Sequence, residues 1–492
     1  MNKTARQMNL TKVGIAGTSL LLLSLLAGCA KNEVSQMASV APEQDTVTTS
    51  VELSDKDIDN IVRRSYQYVA MYNVIQKFAL DPASGNLFTN GLNKPVASTA
   101  LADHNLTSIA RPNNDTLYQM AVLDLRLDPV IIEFPAIDSE YAALQISGYD
   151  HYSAVPLATS NGDFKKPTKI LFFTNRTESF HGQKTNGVDK SVEADGDFIV
   201  AFLRAMPHQA DPARMGRIVK ALETVKVLTL SEFLGKPAKD YSDLKFPDYG
   251  ESDADVFADN LLEIMQFVFN HTTFDPDNAM DQAVLATYKP LGVEPGKTFD
   301  ASKVVKLDGS RLREAANQIA RQALVDMTNP EMLARAAPMT HMPKGQIDLD
   351  IQVIQSIGGP IGLPAYQARY LPVATKDGKP LNARHDYVLK MGKDELPPAR
   401  AFWSLTLYDQ ANGFFIPNEQ KKYSVGENAG YELNAEGGIE IFISAEKPEG
   451  VPDENWLPIN RDDIELSLMY RIYAPDAEKM KTWVMPQPEI IR

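Results

Sequence analysis

Short apolar runs in two parts of the chain restrict the fold more than any other feature of the sequence. Asp, Asn, Gly or Pro separates each run from the next, and these residues favour turns. Short apolar runs between turns are typical of β-strands. The sequence therefore predicts two β domains, whose clearest runs are TLYQMAVLDL, VIIEFPAI, YAALQISGY, TKILFFTN and DFIVAFLRAM in the first and AFWSLTLYD, GIEIFISA and ELSLMYRIYAP in the second.

Helical patterns lie before and between these β regions. Ser54 precedes an amphipathic segment of about two dozen residues and is predicted to be its N-cap. Asp211 and Pro212 are typical of the N-cap and the first residue of another helix. Further segments that favour a helix lie around 252–271, 278–288 and 309–336.

The order of these patterns predicts an α+β fold that is mainly β. We expect residues 53–235 to form an N-terminal helix and a sandwich-like β domain. Residues 236–345 are then a helical connector, and residues 346–492 are a second β domain of the same layered kind.

An export signal is predicted over residues 1–28. Three basic residues precede an apolar stretch that glycine residues interrupt and that is too short for a typical transmembrane helix. The letters LAGC at its end resemble the lipobox of bacterial lipoproteins, in which the cysteine carries a thioether-linked lipid. The resemblance implies lipidation of Cys29 and a polar tether over residues 29–52. Because Ala30 is not the aspartate that often retains a lipoprotein in the inner membrane, it also implies the periplasmic face of the outer membrane.

Cys29 is the only cysteine in the sequence. An exported chain with one cysteine cannot form internal disulfides, so its stability must come from the apolar core. The formal net charge is −15 at pH 7, and loss of the basic signal makes the chain more acidic. Such a surface repels nucleic acid and anionic headgroups. The expected partners are therefore the membrane, through the lipid on Cys29, and a small-molecule ligand.

Two groups of motifs carry a resemblance to known families. RPNNDTLYQMAVLDL, followed by DPVIIEFPAI and YAALQISGYD, resembles the bacterial domain of unknown function 1254, in which Pro-Asn-Asn-Asp-Thr and a tyrosine open a strand. PPARAFWSLTLYDQANGFFIPN, NWLP and LMYRIYAP resemble the domain of unknown function 1214, its usual C-terminal companion. The resemblance extends over most of the chain. It implies jelly-roll-like β domains with helical insertions, and it implies no mechanism.

The stretch RPNNDTLYQM allows two interpretations. Asn113, Asn114 and Asp115 are typical of a rigid turn, because their side chains bond to the backbone groups of the turn. The same side chains, together with Arg111 and Tyr118, also suit the rim of a ligand site. In that second interpretation Asp115 is a candidate catalytic carboxylate.

Asp150 and His151 are the best acid/base candidates in the first β domain. A carboxylate near an imidazole orients the ring and raises its pKa. Adjacent strand residues point to opposite faces, however, so the two side chains need not be in contact.

The second β domain offers a further candidate surface. Trp403 and Tyr408 are either core residues or an aromatic wall for a carbohydrate-like ligand. In the second interpretation, Asp409 and Arg471 are the polar partners of that wall.

The sequence contains no HExxH, CxxC, Walker or GxSxG motif, so it predicts no metal site and specifies no cofactor. Two functional classes follow. The first is a cofactor-free, hydrolase-like enzyme that acts on a small polar or carbohydrate-like periplasmic molecule. The alternative is a non-catalytic lipoprotein for ligand binding or envelope assembly.

Replacing Cys29 by Ser removes the only sulfur that can form the thioether, and we expect it to abolish lipid attachment. Cells that express each form would be grown with labelled palmitate, and the label in the purified protein would be counted. Ser35→Ala, in the same tether, is the matched control and should keep full labelling. Equal labelling of the Cys29→Ser variant would overturn the prediction.

Overall fold

The computed structural model describes residues 52–107, 111–327 and 329–491. The predicted export signal, Cys29 and nearly all of the tether lie outside these ranges. The helices within the ranges include none with the length and hydropathy of a transmembrane segment.

The first helix begins where the sequence predicts. The Ser54 hydroxyl accepts the backbone N–H of Asp57 at 3.2 Å, and the Asp57 carboxylate accepts the backbone N–H of Ser54 at 3.0 Å. This reciprocal capping box satisfies two backbone groups that the helix itself leaves unpaired. The α-helices of the described ranges are α1 Asp55–Leu80, α2 Pro212–Glu223, α3 Leu230–Phe233, α4 Asp253–Asp259, α5 Leu261–His271, α6 Ala279–Tyr288, α7 Gly309–Asp326, α8 Pro330–Ala336, α9 Leu349–Gly358 and α10 Ala477–Met480.

Two sheets form the first β domain. Its strands are β1 Pro95–Ala97, β2 Leu117–Asp124, β3 Val130–Phe134, β4 Ala142–Gly148, β5 Ser153–Ala158, β6 Thr168–Phe173, β7 Lys190–Glu193, β8 Phe198–Ala205 and β9 Lys226–Thr229. One sheet has the order β1-β2-β8-β4-β5 and is antiparallel throughout. The other has the order β7-β6-β3-β9, in which β6 and β7 are parallel.

The core of this domain lies between the two sheets. Leu144 from the first sheet and Ile132 and Phe172 from the second belong to one buried cluster. On the other face of the first sheet, Phe202 packs in a second cluster with Val69 of α1 and with residues of α4 to α7. The first sheet is therefore covered on both faces, by a sheet and by a helical layer.

Two further sheets form the second β domain. Its strands are β10 Ala368–Val373, β11 Leu381–Asn382, β12 Tyr387–Met391, β13 Ala399–Asp409, β14 Ser424–Gly426, β15 Ile439–Ser444, β16 Trp456–Pro458, β17 Glu465–Pro475 and β18 Glu489–Ile490. One sheet has the order β10-β17-β13-β14, with β11 also paired to β17, and the other has the order β16-β15-β12-β18. Ile439, Ile441 and Ile443 are buried in the core while Glu440 is exposed, as their alternation predicts.

Another apolar cluster joins the two β domains. Tyr141 and Met206 from the first domain are buried together with Phe402 and Tyr473 from the second. The rings of Phe402 and Tyr473 stack with their centroids 4.1 Å apart. The two β domains therefore contact each other directly through aromatic side chains.

The structure confirms the predicted α+β fold, which consists mainly of sheets and has an N-terminal helix. The Asp211 carboxylate accepts the N–H of Arg214 at the start of α2, as the sequence predicts. Helix α9 is not predicted by the sequence pattern. Its short apolar run is compatible with a strand as well as with a helix, so periodicity cannot decide between them.

A chain that begins at Leu53 keeps the capping box of α1, and we expect it to unfold at the same urea midpoint as a chain that begins at Ala30. The reason is that the polar tether offers little apolar surface to a core. Ser54→Ala in the shorter chain is the sensitivity control, with an expected loss of about 1 kcal/mol of unfolding free energy. A large fall in the midpoint on truncation would make the tether part of the fold.

Candidate functional site

The RPNNDTLYQM motif forms a turn before β2. The side-chain carbonyl of Asn113 accepts the backbone N–H of Asp115 at 2.5 Å. The Asn114 amide donates to the carbonyl of Ala102 at 2.5 Å, and its side-chain oxygen accepts the Ser424 hydroxyl at 3.2 Å. The amides therefore order the turn, and both also bind the second β domain, Asn114 through Ser424 and Asn113 through Tyr473.

Asp115 connects the turn to the second β domain. Its Oδ2 atom accepts the Ser404 hydroxyl at 2.6 Å and the Tyr473 hydroxyl at 3.2 Å. The Tyr473 hydroxyl in turn accepts the amide of Asn113 at 2.7 Å. Burial raises the pKa of the Asp115 carboxyl, while Arg471 and the two hydroxyl donors act to lower it. Asp115 is thus a buried acceptor at the domain junction.

Arg471, on β17, binds the same turn from the other side. Its Nη1 donates to the Thr406 hydroxyl at 2.8 Å, and its Nη2 donates to the carbonyl of Arg111 at 3.1 Å. The guanidinium carbon lies 5.5 Å from the ring centroid of Tyr408, whose hydroxyl donates to the carbonyl of Pro112 at 2.7 Å. Arg471 and Tyr408 therefore position the backbone of the motif.

Asp150 lies in a buried charged group of its own. Its Oδ2 is 3.2 Å from the Nζ of Lys344, which is also 2.9 Å from Oδ2 of Asp281. Burial raises the pKa of Asp150, and Lys344 acts in the opposite direction. One ammonium thus holds two buried carboxyls, an arrangement that anchors the segment that carries Lys344.

His151 is buried beside α9. Its Nδ1 lies 2.9 Å from the Ser356 hydroxyl, and its Nε2 lies 2.6 Å from the carbonyl of Pro360. Burial, with a contribution from the neighbouring His341, lowers the pKa of His151 to about 3, so the ring is neutral at pH 7. Among the described residues, no hydrogen bond joins any two of the three catalytic candidates, Asp115, Asp150 and His151.

Two other candidates of the second domain have local partners. Trp403 is buried in the core of that domain, and its ring stacks on Tyr431 at a centroid distance of 5.4 Å. Asp409 ends β13 and accepts the N–H of Ala411 at 2.8 Å and the amide of Asn412 at 2.9 Å. Both residues have roles in packing and turn formation.

The helices α4 to α9, which lie between the two β domains in the sequence, are called the helical segment. A chamber of about 230 Å³ lies where the two β domains meet this helical segment. Its lining combines the motif turn, strands of both β domains and residues of α7 to α9. Four predicted ligand-binding residues line it, namely Arg111, Asn113, Tyr118 and Arg471. The other predicted residues lie outside its described lining: Asn114, Asp115, Asp150, His151, Trp403, Tyr408 and Asp409.

Three arginines face this chamber. Arg204 and Arg471 are only 4% and 3% exposed. Arg204 donates to neutral acceptors, the Gln145 side chain at 2.6 Å and the carbonyl of Ile361 at 3.3 Å. Within the described ranges, none of the three guanidiniums is in an ion pair with a carboxylate, and that of Arg111 has no hydrogen-bond acceptor. The chamber therefore holds three guanidiniums that no described carboxylate contacts directly, and of these Arg471 is partly compensated by the nearby buried Asp115.

Arg204 and His341 also line the chamber, and the sequence motifs do not predict them as site residues. DFIVAFLRAM did contain a signal for the first, because a single charge at the end of an apolar, buried strand needs a special environment. His341 follows α8 in a segment without a pattern. Its Nε2 lies 2.9 Å from the carbonyl of Gly359, and burial lowers the pKa of His341 to about 4. The ring is neutral at pH 7 and adds no charge to the chamber.

The fold and the chamber define a protein of two β domains that share one ligand-sized cavity with a helical segment. A family model described as a protein of unknown function, DUF1254, matches residues 92–226, and one described as a protein of unknown function, DUF1214, matches residues 367–477. The chain belongs to the tandem family in which domain 1254 precedes domain 1214, as the sequence motifs predict.

Two solved structures are similar to this chain. The crystal structure of the VPA0106 protein from Vibrio parahaemolyticus is 24% identical, with a TM-score of 0.64, and the match covers 89% of this chain and 100% of that one. An uncharacterized protein from Burkholderia cenocepacia is 13% identical, with a TM-score of 0.42, over 89% of this chain and 94% of that one. The first likeness shows a shared fold. No protein with a curated description matches the chain.

Asp115→Ala leaves the buried hydroxyls of Ser404 and Tyr473 without their acceptor, and we expect the free energy of unfolding to fall by about 2–4 kcal/mol. Asp115→Asn keeps an acceptor oxygen in the same shape, so its expected loss is below about 1.5 kcal/mol. Urea unfolding followed by tryptophan fluorescence measures both variants. An Asn variant as unstable as the Ala variant would mean that the negative charge, and not the acceptor, holds the junction.

Proposed function

We propose that this protein binds a small organic anion in the chamber between its two β domains. The observation that carries the proposal is the group of three arginines, Arg111, Arg204 and Arg471, in one cavity, where no described carboxylate is in ion-pair contact with them and only Arg471 has the charge of Asp115 nearby. The proposal belongs to the ligand-binding class of function.

Buried cationic groups are costly unless an opposite charge compensates them. Asp326 is the one carboxylate in the described lining, and it accepts the Gln322 amide at 2.8 Å on α7. A carboxylate or phosphate on a ligand would instead meet planar guanidinium donors, which bind such groups with two parallel hydrogen bonds. The chamber is therefore suited to an anion rather than to a neutral carbohydrate.

The backbone of Arg111 is held in place before any ligand arrives, and its guanidinium has no described hydrogen-bond acceptor to compete with a ligand. Its backbone has the left-handed φ of 53°, which is unfavourable for a residue with a side chain. Its N–H donates to the carbonyl of Gly413 at 2.7 Å, and its own carbonyl accepts Arg471 Nη2 at 3.1 Å. Strained residues that the surrounding structure fixes in this way are concentrated at functional sites. The geometry thus favours Arg111 as a preorganised contact for the ligand.

Binding accounts for these residues better than hydrolysis does. A hydrolase-like site requires an acid or a base within reach of the ligand. The candidates Asp115, Asp150 and His151 have partners elsewhere. His341 in the chamber donates its Nε2–H to the carbonyl of Gly359, and its Nδ1 has no described partner, but burial lowers the pKa of His341 to about 4, which makes this nitrogen a weak base. The proposal also includes anchoring through lipid on Cys29 at the periplasmic face of the outer membrane, for which the support is the sequence of the signal.

Arg111→Gln removes a charge that faces the chamber, and we expect it to weaken the binding of hexanoate and benzoate about 10- to 100-fold, since a hydrogen bond to a charged group contributes roughly 1.5–3 kcal/mol. Isothermal titration of the folded protein measures the dissociation constants. Arg321→Gln, an exposed arginine of α7 that pairs with Glu314, is the matched control and should leave them unchanged.

Hexanol and benzyl alcohol test the role of charge in the same titrations. They match the two anions in shape but lack the negative group. We expect the alcohols to bind at least tenfold more weakly than the anions, because they lose a hydrogen bond between charged groups, which contributes roughly 1.5–3 kcal/mol. Alcohols that bind as tightly as the anions, or anions that do not bind at all, would overturn the proposed function.

A further inference from the structure

We infer that the ligand is a flexible aliphatic carboxylate of about eight carbons, with its carboxylate at the three arginines and its chain along helices α7 to α9. The inference rests on the proposed function and specifies the class of anion that the chamber takes. Three features of the lining support it: the separation of charged from apolar groups, the type of the apolar side chains, and the size of the cavity.

The cationic groups of the chamber are contributed by the β domains. Arg204 lies on β8 and Arg471 on β17, while Arg111 belongs to the motif turn. Arg471 is hydrogen-bonded to the carbonyl of Arg111 at 3.1 Å, and the Arg204 guanidinium lies 5.9 Å from the ring of Tyr118. Arg111 and Arg471 thus lie together and Arg204 lies beside Tyr118 of the same motif, and the carboxylate is expected among these three guanidiniums.

The helical segment contributes a wall of the lining that is mainly apolar, and Phe78, Phe202, Leu371 and Met469 add apolar surface from α1 and the β domains. Met327 follows α7, Met332 lies on α8 and Ile354 lies on α9. The same residues pack in an apolar cluster with Ala336 and Ile351. A ligand bound to the arginines thus has an apolar surface on its opposite side. An anion with an apolar body matches both surfaces, whereas a small polyanion would leave the helical side uncovered.

The apolar side chains of the helical segment indicate an aliphatic chain at that side of the chamber. The aromatic residues of the lining, Phe78, Tyr118, Phe202 and Tyr370, lie outside this segment, and two of them, Tyr118 and Phe202, are beside the Arg204 guanidinium. Between residues 326 and 362 the described lining contains no Phe, Tyr or Trp, and it contains two methionines. Unbranched methionine side chains adapt to flexible ligands of irregular shape. Aromatic ligands more often stack on aromatic side chains. The helical side of the chamber is therefore better matched to a flexible chain.

The size of the cavity sets the length of that chain. An apolar cavity of about 150 Å³ holds benzene, with six non-hydrogen atoms. The chamber of about 230 Å³ is roughly one and a half times as large, which corresponds to about nine or ten such atoms. A carboxylate with a chain of about eight carbons has this size.

Gly358 provides a way to shorten the chamber without touching the arginines. A Cβ atom at this position would lie 2.6 Å from Sδ of Met327, and both residues line the chamber. Gly358 is the last residue of α9 and has no positive φ, so alanine is compatible with its backbone. The added methyl group must displace the flexible end of Met327 and reduce the space for a chain.

The test is a series of straight-chain carboxylates, from butanoate through hexanoate, octanoate and decanoate to dodecanoate, titrated into the folded protein. We expect affinity to rise about fourfold per methylene up to octanoate, which is the gain from burying that group, and to fall at dodecanoate. Phenylpropanoate, an aryl acid of similar size, should bind at least tenfold more weakly than octanoate.

Two variants change the length of the chamber in opposite directions. Gly358→Ala should weaken octanoate about tenfold while hexanoate changes less than about twofold, because only the longer chain reaches the filled space. Met332→Ala should move the optimum to decanoate. Gly216→Ala, on the exposed face of α2 with open space around it, is the matched glycine control and should leave the series unchanged.

The outcomes separate this inference from the proposed function. Phenylpropanoate binding tighter than octanoate, or affinity that does not depend on chain length, would overturn the aliphatic class and leave an anion-binding chamber. Octyl phosphate binding far tighter than octanoate would overturn the carboxylate and keep the chain. Failure of every anion in the series to bind would overturn both proposals together.

Discussion

The burial of Asp115 at the contact between the two β domains is the constraint on which the rest of the site depends. A buried carboxylate must be supplied with donors, and here the donors are Ser404 and Tyr473, both from the second domain. The motif turn of the first domain is therefore satisfied only when the second domain is packed against it. The same contact brings Arg471 onto the carbonyl of Arg111, so one junction positions two of the chamber arginines.

The elements that the sequence predicts well are those specified by local signals. The helix that follows Ser54 has both halves of its capping box within four residues of sequence, and the helix after Asp211 has an N-cap and a proline in sequence. The alternation of Ile439, Ile441 and Ile443 with polar or exposed neighbours defines a buried strand face. Helix α9 escapes prediction because its burial, and not its periodicity, decides its conformation.

The candidate site is only partly predictable for a different reason. Local composition correctly marks the motif turn as polar and structured, and three of its predicted ligand-binding residues, Arg111, Asn113 and Tyr118, line the chamber together with Arg471 of β17. Contacts between residues that are distant in sequence decide which side chains line the chamber. The partner of Asp150 is Lys344, from the far side of the helical segment, and Arg204 reaches the chamber because β8 lies between β2 and β4 in its sheet. The spacing of residues in the sequence predicts neither of these two contacts.

The two family models match residues 92–226 and 367–477, and the three arginines of the chamber all lie within those ranges. Met327, Met332 and α9, which form one apolar wall of it, lie between them. The two matched ranges thus hold the arginines of the cavity, whereas a segment that neither model describes contributes the wall with the methionines. Changes in that segment can alter the breadth or length of the cavity while the domain contact stays intact, so members that share both modules can differ in which molecule they select.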